Sequence, residues 1–291
     1  MDGHTVADRV AKLTGQEVGR ATPKGGSHAW TVFRVELADG TPLFVKALPD
    51  GPEGDGFTGL FQSEAHGLDW LGQPTASLVP DVVAVDSHTL VLSWVDERPA
   101  TPRAAEVLGR RLAETHTAGA DSFGARNDGF IGPLPLENTP ATEWPRFYAE
   151  RRLAPYLRRA ADRGVLTPAD TRTVEKVIDS VEDLAGPPEP PARIHGDLWG
   201  GNVLWRDNDA VLIDPAAHGG HRETDLAMLA LFGIPHLDRL RDSYNEVAPL
   251  AEGWRQRVAL HQLHPLLVHV CLFGAAYRTT TMDAARAALR G

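Results

Sequence analysis

The stretch RIHGDLWGGNVLW, residues 193–205, is apolar at both ends and polar and glycine-rich in the middle. Packing alone does not call for a histidine, an aspartate, a tryptophan, two adjacent glycines and an asparagine within eight residues. The continuation, RDNDAVLIDP, explains part of the mixture. The runs NVLW and AVLID flank RDND, a turn-forming segment, and predict a β-hairpin. That hairpin folds the loop before it back towards the residue after it, so one local unit carries Asp197, Asn202 and Asp214.

Upstream, HTVADRVAKLTG reads as a helix with Val6, Val10 and Leu13 on one face and Gly15 as its stop. AWTVFRVELADGTPLFVKAL reads as two strands joined at Asp39-Gly40. After a Gly/Pro/Asp-rich loop, residues 57–71 have helical spacing, and DVVAV and TLVLSWV add two short strands. The order strand, strand, helix, strand, strand predicts a small α+β lobe ending near Val95. Beyond it the pattern is mainly helical: Ala105, Leu108, Leu112 and His116 form one stripe, and Thr167, Pro168 and Asp170 open another helix. Two loops interrupt this half, 121–142 and the proline-rich 186–192. The expected organisation is thus bilobal, with lobes 1–95 and 96–291, in the α+β class.

Composition narrows the functions. The chain has 291 residues, 42% of them hydrophobic, enough for a sizeable core. Its 39 acidic and 29 basic residues, net −10, disfavour broad contact with nucleic acid and leave no polybasic membrane patch. No apolar run resembles a signal peptide or a membrane span, so the expectation is a cytoplasmic protein, monomeric and bound to small molecules. The single cysteine, Cys271, excludes an internal disulfide and a cysteine-based zinc site.

Asp197, Asn202 and Asp214 suit one chemistry. Transfer of a γ-phosphoryl group needs a group to orient the attacking hydroxyl and oxygen ligands for Mg²⁺. Asp197 and Asn202 have the spacing of the kinase catalytic loop H-R-D-x-x-x-x-N, and Asp214 stands where the metal-binding aspartate of D-F-G would. Such a site requires a phosphate-contacting lysine on a strand and a glutamate on the next helix to hold it. Lys46 in LFVKAL and Glu64 in FQSEAHGL meet both requirements. PKGGSHAW lacks both G-x-G-x-x-G and the P-loop pattern, yet Gly25, Gly26 and Ser27 could offer N–H groups to ATP phosphates, or form a plain turn. The backbone of Ser93, Trp94 and Val95, between the lobes, is the expected partner of adenine.

With these residues identified, the chain resembles the fructosamine/ketosamine kinase family, a branch of the aminoglycoside-phosphotransferase and choline-kinase group with a protein-kinase-like fold. The resemblance covers almost the whole sequence, through GGSHAWTVFRVELADGTPLFVK, EAHGLDWL, FGARNDGFIGPLPLENTPATEWPRFYAERRLAPYL, HGDLWGGNVLW, LIDPAAHGGHRETDLAMLALFG and HQLHPLLVHVCLFGAAY. Asn127-Asp128 and Leu136 depart from the family pattern. The resemblance implies that ATP phosphorylates the 3-hydroxyl of a ketosamine, with Asp197 orienting the hydroxyl, Asn202 and Asp214 holding Mg²⁺, and Lys46 on the phosphates. It also implies that the product sheds phosphate and releases the amine. Another hydroxyl acceptor (aminoglycoside, choline-like or sugar) and an ATP-binding scaffold are the alternatives. Trp199 is either an aromatic platform for the acceptor or a packing residue. His195 supports the loop, Asp225 bonds its backbone or complements a helix dipole, and His218 and His221 are loop histidines with no third metal ligand at evident spacing.

Overall fold

Asp2 accepts the Thr5 N–H and starts helix α1 (Gly3–Thr14), and Gly15, at φ 70°, stops it as the local sequence predicts. The computed structural model describes residues 1–27 and 29–290, with the backbone alone for Ser27. Strands β1 (Val18–Ser27), β2 (Trp30–Leu37) and β3 (Pro42–Ala47) follow, then a short helix α2 (Pro52–Asp55) and helix α3 (Leu60–Gly72). Strands β4 (Val82–Val85) and β5 (Thr89–Ser93) complete an antiparallel sheet of order β1-β2-β3-β5-β4. Val6 and Val10 of α1 pack on one face of it with Phe33, Val35 and Val45. Phe61, Ala65 and Leu68 of α3 pack with Leu90 and Leu92 on the other.

Two expectations need correction here. The segment containing Gly25, Gly26 and Ser27 is the end of strand β1, which pairs with β2 through register shifts at Val18/Arg20 and Pro23/Gly25. The sheet therefore has five strands where the sequence reading has four. An irregular edge strand tolerates Pro23 and two glycines, so it lacks the alternation that marks a strand. The helix expected from residue 57 begins at Leu60, after Gly59 at φ 89°.

From residue 102 the chain is mostly helical. Helix α4 (Pro102–Thr117) buries the stripe Ala105, Leu108, Leu112 and His116. The hairpin of β6 (Gly129–Ile131) and β7 (Leu134–Leu136) lies within the 121–142 loop. Helix α5 (Trp144–Phe147) continues through a π-helical turn at Tyr148–Leu153 into α6 (Ala154–Asp162). Thr167 and Asp170 form a reciprocal capping box at the start of α7 (Pro168–Asp179), which is followed by α8 (Val181–Leu184). Next come β8 (Ala192–Ile194), the predicted hairpin of β9 (Val203–Arg206) and β10 (Asp209–Leu212), and β11 (His218–Gly220), which pairs with β8. Helices α9 (Glu223–Phe232), α10 (Leu237–Val247), α11 (Trp254–Phe273) and α12 (Arg278–Ala288) close the chain. The segment Trp254–Ala288 is long and apolar enough to cross a membrane by composition, an exception to the sequence expectation. It is interrupted at Gly274, and its α11 part buries Leu260, Leu263, Leu267 and Val270 in the largest hydrophobic cluster, as a core helix does.

Candidate active site

The β8–β9 loop is held by what its backbone can reach. The Asp225 carboxylate, 1% exposed at the start of α9, accepts the N–H groups of His195 at 2.7 Å and Gly196 at 2.9 Å. Its third partner is His116 Nε2 at 3.2 Å. Asp225 thus anchors the loop backbone, one of the two roles the sequence allowed. Gly196 sits at φ 80°, and a Cβ there would lie 2.3 Å from the Ala216 carbonyl oxygen, so this position requires glycine. His195 supports the loop as expected: Nε2 bonds the Ile213 carbonyl at 2.9 Å, leaving Nδ1 to accept the Asp197 N–H at 3.2 Å. Burial lowers its pKa and keeps it neutral.

On this frame Asp197, Asn202 and Asp214 converge on one cavity of about 200 Å³, which Lys46 and Glu64 also line. Lys46 Nζ donates to both Glu64 oxygens, at 2.7 and 2.8 Å, and to Asp214 Oδ1 at 2.7 Å. Burial opposes the charge on Lys46, but Asp214 and Glu64 outweigh it and hold the ammonium above its ordinary pKa. Glu64 is raised, because burial and the neighbouring Asp214 together exceed the pull of Lys46. Asn202 Nδ2 donates to the Asp197 carbonyl at 2.7 Å and to its carboxylate at 3.2 Å, which orients the amide oxygen away from Asp197. Burial first, and then Asp214, push Asp197 up to about 7, against the lowering effect of Asn202. Asp214 has φ 56°, a conformation costly for a non-glycine residue and common where a side chain is held for a purpose.

The remaining residues singled out by sequence are distributed as follows. Trp199, 42% exposed, lines the cavity, its ring lying over Gly201 and edge-on to Phe232 at 6.2 Å. It therefore packs on one side and is open on the other. Gly25, Gly26 and Ser27 end β1 next to Trp30, which lines the cavity, although the three do not. Ser93 bonds Asp81 through N–H and hydroxyl, both at 2.9 Å. Trp94 bonds Asp96 and lies under Arg34, while Val95 is half-buried, and none of the three lines this cavity. Asp128 accepts the Asn138 N–H at 2.8 Å and Leu136 is buried, so both departures from the family pattern shape the loop outside the cavity. Sequence reading misses Phe130, His269 and Phe273, which complete the wall beside Trp199. They lie in the segments FGARNDGFIGPL and HQLHPLLVHVCLFGAAY, where nothing local marks them as site residues, and tertiary packing unites them.

A second cluster of potential ligands joins His221, Glu223 and His261, all buried, with donor atoms within 4.8 Å of one another. Of the two histidines singled out by sequence only His221 belongs to this group; His218 instead bonds the Ala216 carbonyl and Arg152. Arg257, however, donates to both oxygens of Glu223, at 2.9 and 2.5 Å, and neutralises the carboxylate a cation would need. Trp144 stacks on His261 at 4.7 Å, so the group is a packed polar network.

The fructosamine kinase family model matches residues 4–290. A probable ketoamine kinase of Synechocystis is 31% identical over 294 residues, 98% of this chain and 96% of its own. The chloroplastic protein-ribulosamine 3-kinase of Arabidopsis thaliana is 32% identical over 236 residues, 77% of this chain and 70% of its own. The crystal structure of a candidate fructosamine-3-kinase from Thermobifida fusca superposes with a TM-score of 0.96 at 69% identity, covering 99% of both chains.

Proposed function

We propose that this chain, which belongs to the fructosamine kinase family, transfers the γ-phosphoryl group of ATP to the 3-hydroxyl of a ketosamine. One observation carries the reading. Lys46, Glu64, Asp197, Asn202 and Asp214 share a single cavity with an aromatic wall at Trp199. Asp197, held by Asn202 and poised near neutral pH, orients the acceptor hydroxyl and takes its proton as the oxygen attacks the γ-phosphorus and ADP leaves. Lys46 neutralises the phosphates, and Glu64 aims it. Asn202 and Asp214 offer only oxygen to a metal, the donor type Mg²⁺ takes, and they are the residues that would hold it. When bound, Mg²⁺ supplies charge neutralisation to the phosphates. The residues 1–95 then form the nucleotide lobe and 96–291 the acceptor lobe, with Gly25, Gly26 and Ser27 over the phosphates and Ser93, Trp94 and Val95 beside adenine. The open face of Trp199 receives the sugar or its cationic nitrogen.

The product carries phosphate on the carbon next to a carbonyl that can enolise with the amine-bearing carbon. Elimination then expels phosphate, and water hydrolyses the imine that results, which frees the amine and leaves a deoxy-dicarbonyl sugar. The test is Mg-ATP turnover with ribulosamines, fructosamines, aminoglycosides and choline. The proposal expects ketosamines to be the preferred acceptors and Trp199→Ala to raise KM for them more than for ATP. Preference for an unmodified amino-alcohol would replace it, and ATP binding without transfer to any acceptor would favour a scaffold.

A further inference from the structure

The catalytic cavity is lined by Phe130 and Ile131 of the β6–β7 hairpin and by His269 and Phe273 of α11. One short element grips both walls. The π-helical turn Tyr148–Leu153 sends Tyr148, 1% exposed, and Arg152, 2% exposed, into the core. A π-helical turn interrupts the regular ladder of the helix that contains it, and such turns recur at functional sites.

Tyr148 acts on α11. Its hydroxyl donates to the Leu260 carbonyl at 2.6 Å and accepts the His264 N–H at 3.2 Å, the two groups that an α-helix pairs with each other. Stacking on Trp144, at 4.7 Å between ring centres, holds the phenol in place. One residue after His264, Pro265 has no N–H for the His261 carbonyl. Two causes of helix bending, a proline and an inserted side chain, therefore fall within a single turn of α11. The part of α11 that lines the cavity begins just beyond it, and His269 Nδ1 bonds the Pro265 carbonyl at 2.7 Å.

Arg152 acts on the hairpin. Its guanidinium donates to the Glu137 carbonyl at 2.6 Å and to Asn138 Oδ1 at 2.5 Å, immediately after β7. Asn138 in turn gives its N–H to Asp128 and its amide to the Asn127 carbonyl, immediately before β6. Both ends of the hairpin are thus tied to one buried side chain.

We propose that the π-helical turn sets how the two walls stand to each other, and that Tyr148 and Arg152 are positioning residues for the acceptor. Neither lines the cavity, and each fixes groups that do. That the walls receive the acceptor rests on the proposed function. Lys46, Glu64 and the catalytic loop are carried by β3, by α3 and by the Asp225 anchor, so the turn acts on the acceptor and not on ATP.

Tyr148→Phe removes the inserted oxygen and lets Leu260 and His264 pair directly. With Mg-ATP and the ribulosamine of butylamine, KM for the acceptor should rise about tenfold while KM for ATP stays within about twofold of the parent value. Pro265→Ala removes the other cause of the bend and should raise KM for the acceptor too. The double variant should fall short of the product of the two changes, as expected of residues acting on one bend. Arg152→Lys keeps the charge, loses the fork and should raise the same KM. Thr167→Ala, which weakens the fold at α7, is the control and should keep the KM of the parent. Circular dichroism verifies folding of each variant. Crystal structures of the parent and of Tyr148→Phe read the effect without turnover: His269 and Phe273 should shift by about 1 Å relative to the β9–β10 hairpin, a scale at which positioning fails. An unchanged KM for the acceptor, an equal rise in KM for ATP, fully multiplicative effects of Tyr148→Phe and Pro265→Ala, or superimposable walls would overturn the proposal. Inactivity of the parent on every ketosamine, with the wall displaced in Tyr148→Phe, would count against the proposed function and not against the link between turn and wall.

Discussion

Asp197 shows how much one residue can carry. Its role follows from spacing to Asn202 and from the hairpin that returns Asp214, all legible in the chain. Its proton affinity is not legible, because that depends on burial and on the distance to Asp214, which only the fold sets. Asp197→Asn should lower kcat by about a hundredfold or more while leaving ATP affinity near that of the parent, as single-turnover and equilibrium binding would measure. A pKa of about 7 also gives the pH dependence its sign. The base works when deprotonated, so kcat/KM should rise with pH through that value. Stability runs the other way: a carboxyl raised above its unfolded value stabilises the fold at low pH and loses that contribution as pH climbs from about 4 to 7. The parent should therefore lose Tm relative to Asp197→Asn as pH rises, leaving the variant ahead by about 2 °C or more at pH 8. Equal Tm values at pH 5 and pH 8 would remove the burial argument.

At the level of elements, the catalytic loop owes its shape to α9 and to a glycine. Asp225 reaches back from α9 to two consecutive N–H groups, and Gly196 permits the positive φ between them. The sequence presents Asp225 as either a helix-dipole acid or a loop anchor, since a backbone N–H 29 residues away leaves no local signature. Gly196→Ala should destabilise by about 1–3 kcal/mol, measured by denaturant titration, because strain and a contact with the Ala216 carbonyl fall together. Thr167→Ala provides the contrast. It removes one half of the α7 capping box, costs about 1 kcal/mol, and should leave kcat untouched. A loss of activity there matching that of Gly196→Ala would mean that global stability, rather than loop shape, governs turnover. Elements with strong periodicity or caps, such as α1, α7 and the β2–β3 and β9–β10 hairpins, are readable locally. Strand β1 is not, because its pairing with β2 overrides a composition of glycine, proline and polar residues.

Across the whole molecule, the sheet and the helical part meet at a buried charge. Lys46 on β3 joins Glu64 on α3 and Asp214 beyond β10, so one ammonium ties three segments that are far apart in sequence. Removing it leaves two carboxylates facing each other. Lys46→Met should therefore cost about 3 kcal/mol of stability as well as phosphate affinity, and Glu64→Gln, which keeps a hydrogen-bond acceptor, should cost less stability while still raising KM for ATP. The aromatic wall of Trp199, Phe130, His269 and Phe273 is likewise a property of the assembled chain. No local pattern marks these four residues as one wall, whereas the five polar groups of the same cavity follow a known order along the sequence.

The proposed reaction is phosphorylation at the 3-hydroxyl followed by release of the amine. Phosphorus NMR and mass spectrometry of a ribulosamine incubated with the protein and Mg-ATP test it most directly. A 3-phosphate ester should accumulate with ADP in equal amount, then decay to inorganic phosphate and free amine. A phosphate on any other oxygen, stable to elimination, or ATP consumed with the ribulosamine unchanged, would contradict the account.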